Sequence, residues 1–272
     1  MPVKIHAPAP EEYIKSVRSE GDSLRTSPEL AMKVLLSEGW EKIYQIGPCF
    51  RAGEHGRKHC EEFTMFEFYA VNTGYRELVR FTAELIADAA SEVWDGTWID
   101  YRGYAIDLAE YEFMTIAEAF ARYTELSMEE ADRHDCFDKL MVTRIEPELD
   151  RSKLTFLCDY PANRAALSRL KADDPAVAER WVLYIAGVEL ANAFGKLTCA
   201  EEQKKRFRAA LAFRAAAGMH AYPEPVGFYE AFERGLPESS GCALGLDRLA
   251  MIFTDSGDIG EVTTGSRAAP SD

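Results

Sequence analysis

Residues 62–70, Glu-Phe-Thr-Met-Phe-Glu-Phe-Tyr-Ala, alternate with a period of two that only a β-strand accommodates. Phe63, Met65, Glu67 and Tyr69 then share one face, while Thr64, Phe66 and Phe68 share the other. A second apolar stretch, Lys42 to Phe50 with Ile43, Tyr44 and Ile46, precedes it. The charged, glycine-containing segment 52–61 between them reads as the loop of an antiparallel pair. Such a pair places Arg51 beside Phe63. It also leaves Glu67 on an otherwise apolar face, where a carboxylate requires a nearby cation.

The chain has 272 residues, 47% of them hydrophobic, enough for a substantial core in one large domain. Its 31 basic and 46 acidic residues give a net charge of −15, which opposes approach to a nucleic-acid backbone. The densest basic run, Lys204-Lys205-Arg206 with Arg208, falls in an amphipathic helix expected over Thr198 to Ala217. Thr198 and Glu201 form a capping box there, and Gly218 marks the end. The run therefore reads as a solvated helix face. Six cysteines without CxxC spacing and five histidines without HExxH spacing indicate neither a zinc site nor a disulfide framework, so reduced thiols and a cytoplasmic location are expected. The opening Met-Pro-Val-Lys-Ile-His has no signal-peptide apolar run. No apolar stretch approaches the ~20 residues needed to span a bilayer.

Ser27 and Pro28 are suited to start a helix that Gly39 ends. A long amphipathic helix carrying Leu78, Phe81, Leu85 and Ile86 follows the strand pair. Residues 104–150 form a charged insert with a short strand, Tyr104 to Leu108, and a helix opened by the capping box Thr115 to Glu118. Further strands are expected at 153–160, 180–188 and 190–197, then a strand and helix around Gly241 to Leu249. Residues 265–272 read as a disordered tail. The pattern implies an α+β fold, an antiparallel sheet flanked by helices.

The segment from Arg51 to Tyr69 resembles motif 2 of the class II aminoacyl-tRNA synthetases. In the form Arg…His-x-x-Glu-Phe-Thr-Met-x-Glu-x-Tyr it resembles the lysyl-tRNA synthetase branch, above all its short paralogues that ligate lysine or β-lysine to elongation factor P. Thr26-Ser27-Pro28-Glu29-Leu30, Asp159-Tyr160-Pro161-Ala162, Glu189-Leu190-Ala191-Asn192-Ala193-Phe194 and Gly241-Cys242-Ala243-Leu244-Gly245-Leu246-Asp247-Arg248 match further family elements in order. The resemblance implies a single class II catalytic domain over 1–272 that activates an amino acid with ATP and Mg²⁺ and passes it to a protein such as elongation factor P or to a small acceptor. It implies no anticodon-binding domain and no binding of a tRNA body. Pro2-Val3-Lys4-Ile5 is similar to the end of motif 1. The helix that normally precedes it and forms the dimer interface is absent, which leaves dimerisation open.

By the same resemblance Arg51 and Arg248 are catalytic. Arg51 holds the α-phosphate and the substrate carboxylate; Phe63 and Arg248 sandwich adenine; His59 and Arg248 reach the γ-phosphate. Glu189 ligates Mg²⁺, Glu29 and Glu67 receive the α-amino group, and Tyr69, Asn192 and Phe194 line the substrate pocket. Glu54 substitutes for an adenine-contacting carboxylate, since Ala52-Gly53-Glu54 stands in place of the family's Asn-Glu-Glu. Val182 replaces a second metal-binding glutamate. Lys196 stands where lysine-binding relatives carry the glutamate that holds the substrate's distal ammonium. Like charges ~4 Å apart in a partly dry site cost about 4 kcal/mol, so Lys196 is expected to repel a basic substrate, and Arg164 to add positive charge nearby. Two alternatives accompany the ligase reading: a catalytically weakened paralogue that binds a nucleotide or partner, and a ligase for a neutral or acidic amino acid.

Overall fold

The alternation over 62–70 becomes the central hairpin of the first of two compact units into which the chain divides. This unit holds residues 1–73, 196–247 and those from 258 onward; the second holds 74–195 and 248–257. The computed structural model describes residues 1–263, and the tail expected at 265–272 lies outside them. The first unit opens with a small antiparallel sheet of order β1-β3-β2, from β1 (Lys4–Ile5), β2 (Arg18–Ser19) and β3 (Asp22–Leu24). Helix α1 (Glu29–Ser37) follows, with Pro28 at its cap position and the Ser27 hydroxyl accepting the Glu29 N–H at 3.3 Å. Gly39, at φ +95°, takes the left-handed turn that leaves the helix. β4 (Lys42–Phe50) and β5 (Glu62–Val71) pair antiparallel from Lys42 opposite Ala70 to Phe50 opposite Glu62.

The second unit begins with α2 (Tyr75–Val93), which buries Leu78 and Ile86 and leaves Phe81 exposed. β6 (Trp98–Tyr101) turns back on β7 (Tyr104–Thr115), a strand more than twice the expected length. β7 then runs parallel to β8 (Lys153–Pro161) from Tyr111 to Thr115, so this sheet is mixed and the wholly antiparallel expectation is corrected. The residues between the two supply the crossover that a parallel pair requires: α3 (Ile116–Tyr123), α4 (Met128–Arg133) and α5 (Phe137–Leu140), with a π-turn at Met141–Ile145. Thr115 caps α3 as expected, its hydroxyl accepting the Glu118 N–H at 3.1 Å. Phe120, Phe137, Met141 and Ile145 pack with Leu157, Val182 and Tyr184 in one core, which makes the charged insert part of the fold. β9 (Val177–Ile185) and β10 (Val188–Gly195) complete the order β10-β9-β8-β7-β6.

Returning to the first unit, α6 (Ala200–Ala216) is capped by Cys199, with no side-chain bond, and not by Thr198 as expected. Its basic run is an ion-paired outer face, where Lys204 meets Glu233 and Lys205 and Arg206 meet Glu202. Its inner face is unusual for carrying Gln203 and Arg214 fully buried. The Arg214 guanidinium donates to the carbonyls of Glu11 and Ile14, both at 2.9 Å, and lies 3.9 Å over the Tyr222 ring. α7 (Val226–Glu233) packs on α1 and α6, β11 (Ser239–Gly245) pairs with β5, and α8 (Leu246–Phe253) follows. The first turn of α8 is fastened to the hairpin by the Thr64 N–H, which donates to Asp247 Oδ2 at 2.6 Å. Among the described residues no helix is long and apolar enough to cross a membrane.

β11 fixes the orientation of Tyr69. Gly241 lies opposite Tyr69 in the register, and a Cβ at that position would stand 2.1 Å from the ring. Gly241→Ala is therefore expected to lower stability by about 1–3 kcal/mol through overpacking, read as a fall in the urea midpoint; an unchanged midpoint would show that the ring moves freely.

Candidate active site

Strand parity decides what β5 presents. Phe63, Met65, Glu67 and Tyr69 stand opposite Cys49, Gly47, Gln45 and Ile43, the registration that the alternation predicts. At the loop end, the Arg51 guanidinium lies 5.0 Å over the Phe63 ring, a cation–π contact that holds a planar, permanently charged fork at the hairpin mouth. Arg51 Nη1 is 4.0 Å from Glu54 Oε1, and its buried Nε makes no hydrogen bond among the described residues. His59 is exposed on the same loop, where its N–H bonds the Gly56 carbonyl at 3.1 Å. Arg51, Glu54, His59 and Phe63 thus belong to one hairpin tip.

Further along the strand the same face carries a buried ionic cluster. Glu29 and Lys33 come from α1, one helical turn apart, with Lys33 Nζ 2.9 Å from Glu29 Oε1. Lys196 Nζ reaches the same oxygen at 3.2 Å and lies 4.2 Å from the centre of the Tyr69 ring. The Tyr69 hydroxyl donates to Glu67 Oε1, whereas Glu67 Oε2 is buried with no hydrogen-bond partner among the described residues. Lys33 Nζ also donates to Gln203 Oε1 at 3.4 Å. Glu29, Lys33, Glu67 and Lys196 are each at most 5% exposed. Burial opposes ionisation of Glu29, but the Lys196 and Lys33 ammonium groups hold its carboxyl below the usual carboxylate range. Burial dominates at Glu67, where the Lys196 attraction fails to offset it and the Glu29 carboxylate adds to it, so that carboxyl is pushed up to about 7.

The structure differs from the expectation that Lys196 stands as a bare repelling charge: its ammonium is paired with Glu29. Sequence reasoning assigned no role to Lys33 or Gln203, although the i, i+4 spacing of Glu29 and Lys33 carries a signal for the first. Nothing in the pattern singles out Gln203.

The remaining site residues lie in the second unit. Arg248 Nη1 donates to the Glu189 carbonyl at 2.7 Å. Asn192 and Phe194 share one neighbour, Arg180, whose Nε lies 3.4 Å from Asn192 Oδ1 and whose guanidinium lies 5.7 Å over the Phe194 ring. Arg164 adds no free charge; it is clamped by Asp132 and Asp138 and lies 4.1 Å over Phe137. Glu189 is exposed, and Val182, which faces Asn192 across the strand pair, is buried. Among the described residues no three His, Cys, Asp or Glu side chains gather to hold a metal. One exposed carboxylate does not make a protein-built Mg²⁺ site. A separate cavity of about 580 Å³ in the first unit, lined by groups such as Ile5, Leu30, Val34 and Phe228, contains none of these residues.

The profile of the tRNA synthetases class II (D, K and N) matches residues 4–266. The chain belongs to that family. Among its relatives, the lysine–tRNA ligase of Thiobacillus denitrificans is 35% identical over 260 residues, covering 88% of this synthetase-family chain and 52% of the relative. The lysine–tRNA ligase of Magnetococcus marinus is 34% identical with the same coverage. The elongation factor P–(R)-β-lysine ligase of Erwinia tasmaniensis is 36% identical over 245 residues, 88% of this chain and 75% of that protein. The chain spans about half the length of the lysine–tRNA ligases it matches.

Because the folded chain holds the Glu67 proton to about pH 7 whereas an unfolded glutamate releases it near ~4.3, this group's contribution to stability is present below that lower value and is lost as pH rises through the higher one. The groups facing it are Lys196, Glu29, Tyr69 and Arg51. Glu67→Gln removes the titration, so the melting temperature of the variant relative to wild type should rise between pH 5 and pH 8 by on the order of 2–5 °C. A difference that stays flat over that range would mean Glu67 is ionised throughout.

Proposed function

We propose that this protein activates a carboxylic acid as an acyl-adenylate at the expense of ATP and transfers the acyl group to a protein or small acceptor. The observation that carries the reading is the order of groups along one face of β5: a guanidinium on an aromatic ring at Phe63, then a carboxylate-lined, ammonium-binding cluster from Glu67. At ~3.3 Å per residue, the four steps from Phe63 to Glu67 span ~13 Å, a length that suits a nucleotide joined to an acyl group. Family membership and the names of the relatives support the same chemistry.

In the reaction, a substrate carboxylate oxygen attacks the α-phosphorus of MgATP. The α–β phosphoanhydride bond breaks, pyrophosphate leaves with its electron pair, and an acceptor amine or hydroxyl later displaces AMP from the acyl carbon. Such a reaction needs no protein nucleophile, only positioning and charge neutralisation. Arg51 suits the first role, because its fork donates bidentately and stays charged while negative charge grows on the α-phosphate. Arg248, with Phe63, is proposed to hold the nucleotide; Glu54 and His59 serve its base and phosphate ends, and Glu189 offers one oxygen ligand to the incoming magnesium. Asn192 and Phe194 are proposed to border the substrate. The charge of −15 disfavours a tRNA acceptor and favours a protein or small molecule. The replacement of a metal carboxylate by buried Val182 favours a second reading, nucleotide binding without turnover.

Acid-dependent exchange of labelled pyrophosphate into ATP separates the two. We expect exchange by wild type, a loss of about 10²–10³-fold in Arg51→Ala, and ATP binding weakened by at least ~1.5 kcal/mol in Arg248→Ala by calorimetry. Absence of exchange with every acid tested, alongside measurable ATP binding, would select the binding-only reading. A mobility-shift assay should detect no tRNA complex at physiological salt; a tight, salt-sensitive complex would restore tRNA as the acceptor.

A further inference from the structure

We propose that Glu29, Glu67 and Tyr69 form a binding box for an alkylammonium ion which the chain fills with its own Lys196, so that the acid activated here carries no side-chain cation into that box. The substrate class rests on the ligase reading; the filled box does not. Two carboxylates and an aromatic face are the groups that recognise an ammonium ion. Here one carboxylate and the ring hold one directly: Lys196 Nζ sits 3.2 Å from Glu29 Oε1 and 4.2 Å from the Tyr69 ring centre, on a residue 2% exposed, while Glu67 accepts from the Tyr69 hydroxyl and attracts the ammonium at longer range. The Glu67 Oε2 atom, buried and without a hydrogen-bond partner, leaves acceptor capacity in the same box.

Charge adds to this above about pH 7, where Glu67 has released its proton. Glu29 and Glu67 then balance Lys33 and Lys196, and a further cation would find no buried carboxylate left to match it. Replacing Lys196 by alanine leaves one negative charge in excess and, since Cβ stays, a void the size of a propylammonium chain. The same box that excludes a basic ligand in the wild type should then capture one.

Calorimetric titration at pH 9 of L-lysine and of propylammonium chloride into wild type, Lys196→Ala and Lys196→Ser tests this, with 1-propanol as the neutral control. Wild type should give no binding tighter than ~1 mM, whereas Lys196→Ala should bind propylammonium at least about tenfold more tightly than wild type does and ignore propanol. Wild type that binds lysine below ~1 mM overturns the proposal, as does a folded Lys196→Ala that binds no better than wild type. If Lys196→Ala does not fold, Lys196→Ser, which opens the same void and supplies one polar atom, is read by the same criterion. If neither folds, the wild-type titration decides, heat overturning and silence supporting.

Pyrophosphate exchange separates this inference from the reading it deepens. Exchange fastest with acids lacking a side-chain ammonium supports both, and exchange fastest with lysine removes the box while keeping the ligase. No exchange, together with ammonium capture by the alanine variant, removes the ligase while keeping the box.

Discussion

Burying Glu29 and Glu67 behind the hairpin face obliges the chain to bring positive charge in with them. Each isolated carboxylate would cost several kcal/mol of lost hydration, and removing one partner of a buried pair typically costs about 3–5 kcal/mol. The fold meets this from two directions, with Lys33 from the helix that carries Glu29 and Lys196 from the residue that follows β10. Three separate chain segments therefore have to be correct at once: the start of α1, the centre of β5 and the entry to α6. Such a cluster gains little net stability over an apolar core, but it penalises every arrangement that misplaces one charge.

The same economy of space surrounds the cluster. Gly241 admits the Tyr69 ring against the backbone, and Gly47 admits the Arg25 guanidinium, whose Nη2 would lie 2.7 Å from a Cβ there. Arg25 in turn donates to the Pro48 carbonyl at 2.9 Å. Glycine at these two positions allows large groups to lie flat on the sheet beneath a polar site.

Much of this was legible in the residues themselves. The period of two gave β4 and β5 to within a residue, because an amphipathic hairpin writes its register into alternation. The Thr115 to Glu118 capping box announced α3 for an equally local reason. β7 was read too short because its alternation fades after Leu108 where the strand passes to a new partner, with a register irregularity between Asp107 and Tyr111. Its parallel pairing with β8 is a long-range choice that no local pattern encodes. α4 went unread although Ser127 and Glu130 form a capping box, since its two turns are too short for a clear apolar period. Strand parity and resemblance marked Glu67 and Lys196 as pocket residues. What they could not supply is that Lys196 finds its counter-charge in Glu29, at the start of a helix far earlier in the chain.

The discontinuity of the first unit governs the order in which a nascent chain can mature. The second unit has all of its sheet by residue 195 and lacks only the short segment from Arg248. The first unit has its hairpin by residue 71 but must await β11 before β5 gains its second neighbour, and α6 before Arg214 can secure the carbonyls of Glu11 and Ile14. During synthesis the hairpin therefore leaves the ribosome with one long edge and its carboxylate unmatched, while more than a hundred residues emerge behind it. Until Lys196 has emerged, Glu67 in the incomplete unit lacks one of the cations that accompany it in the finished one.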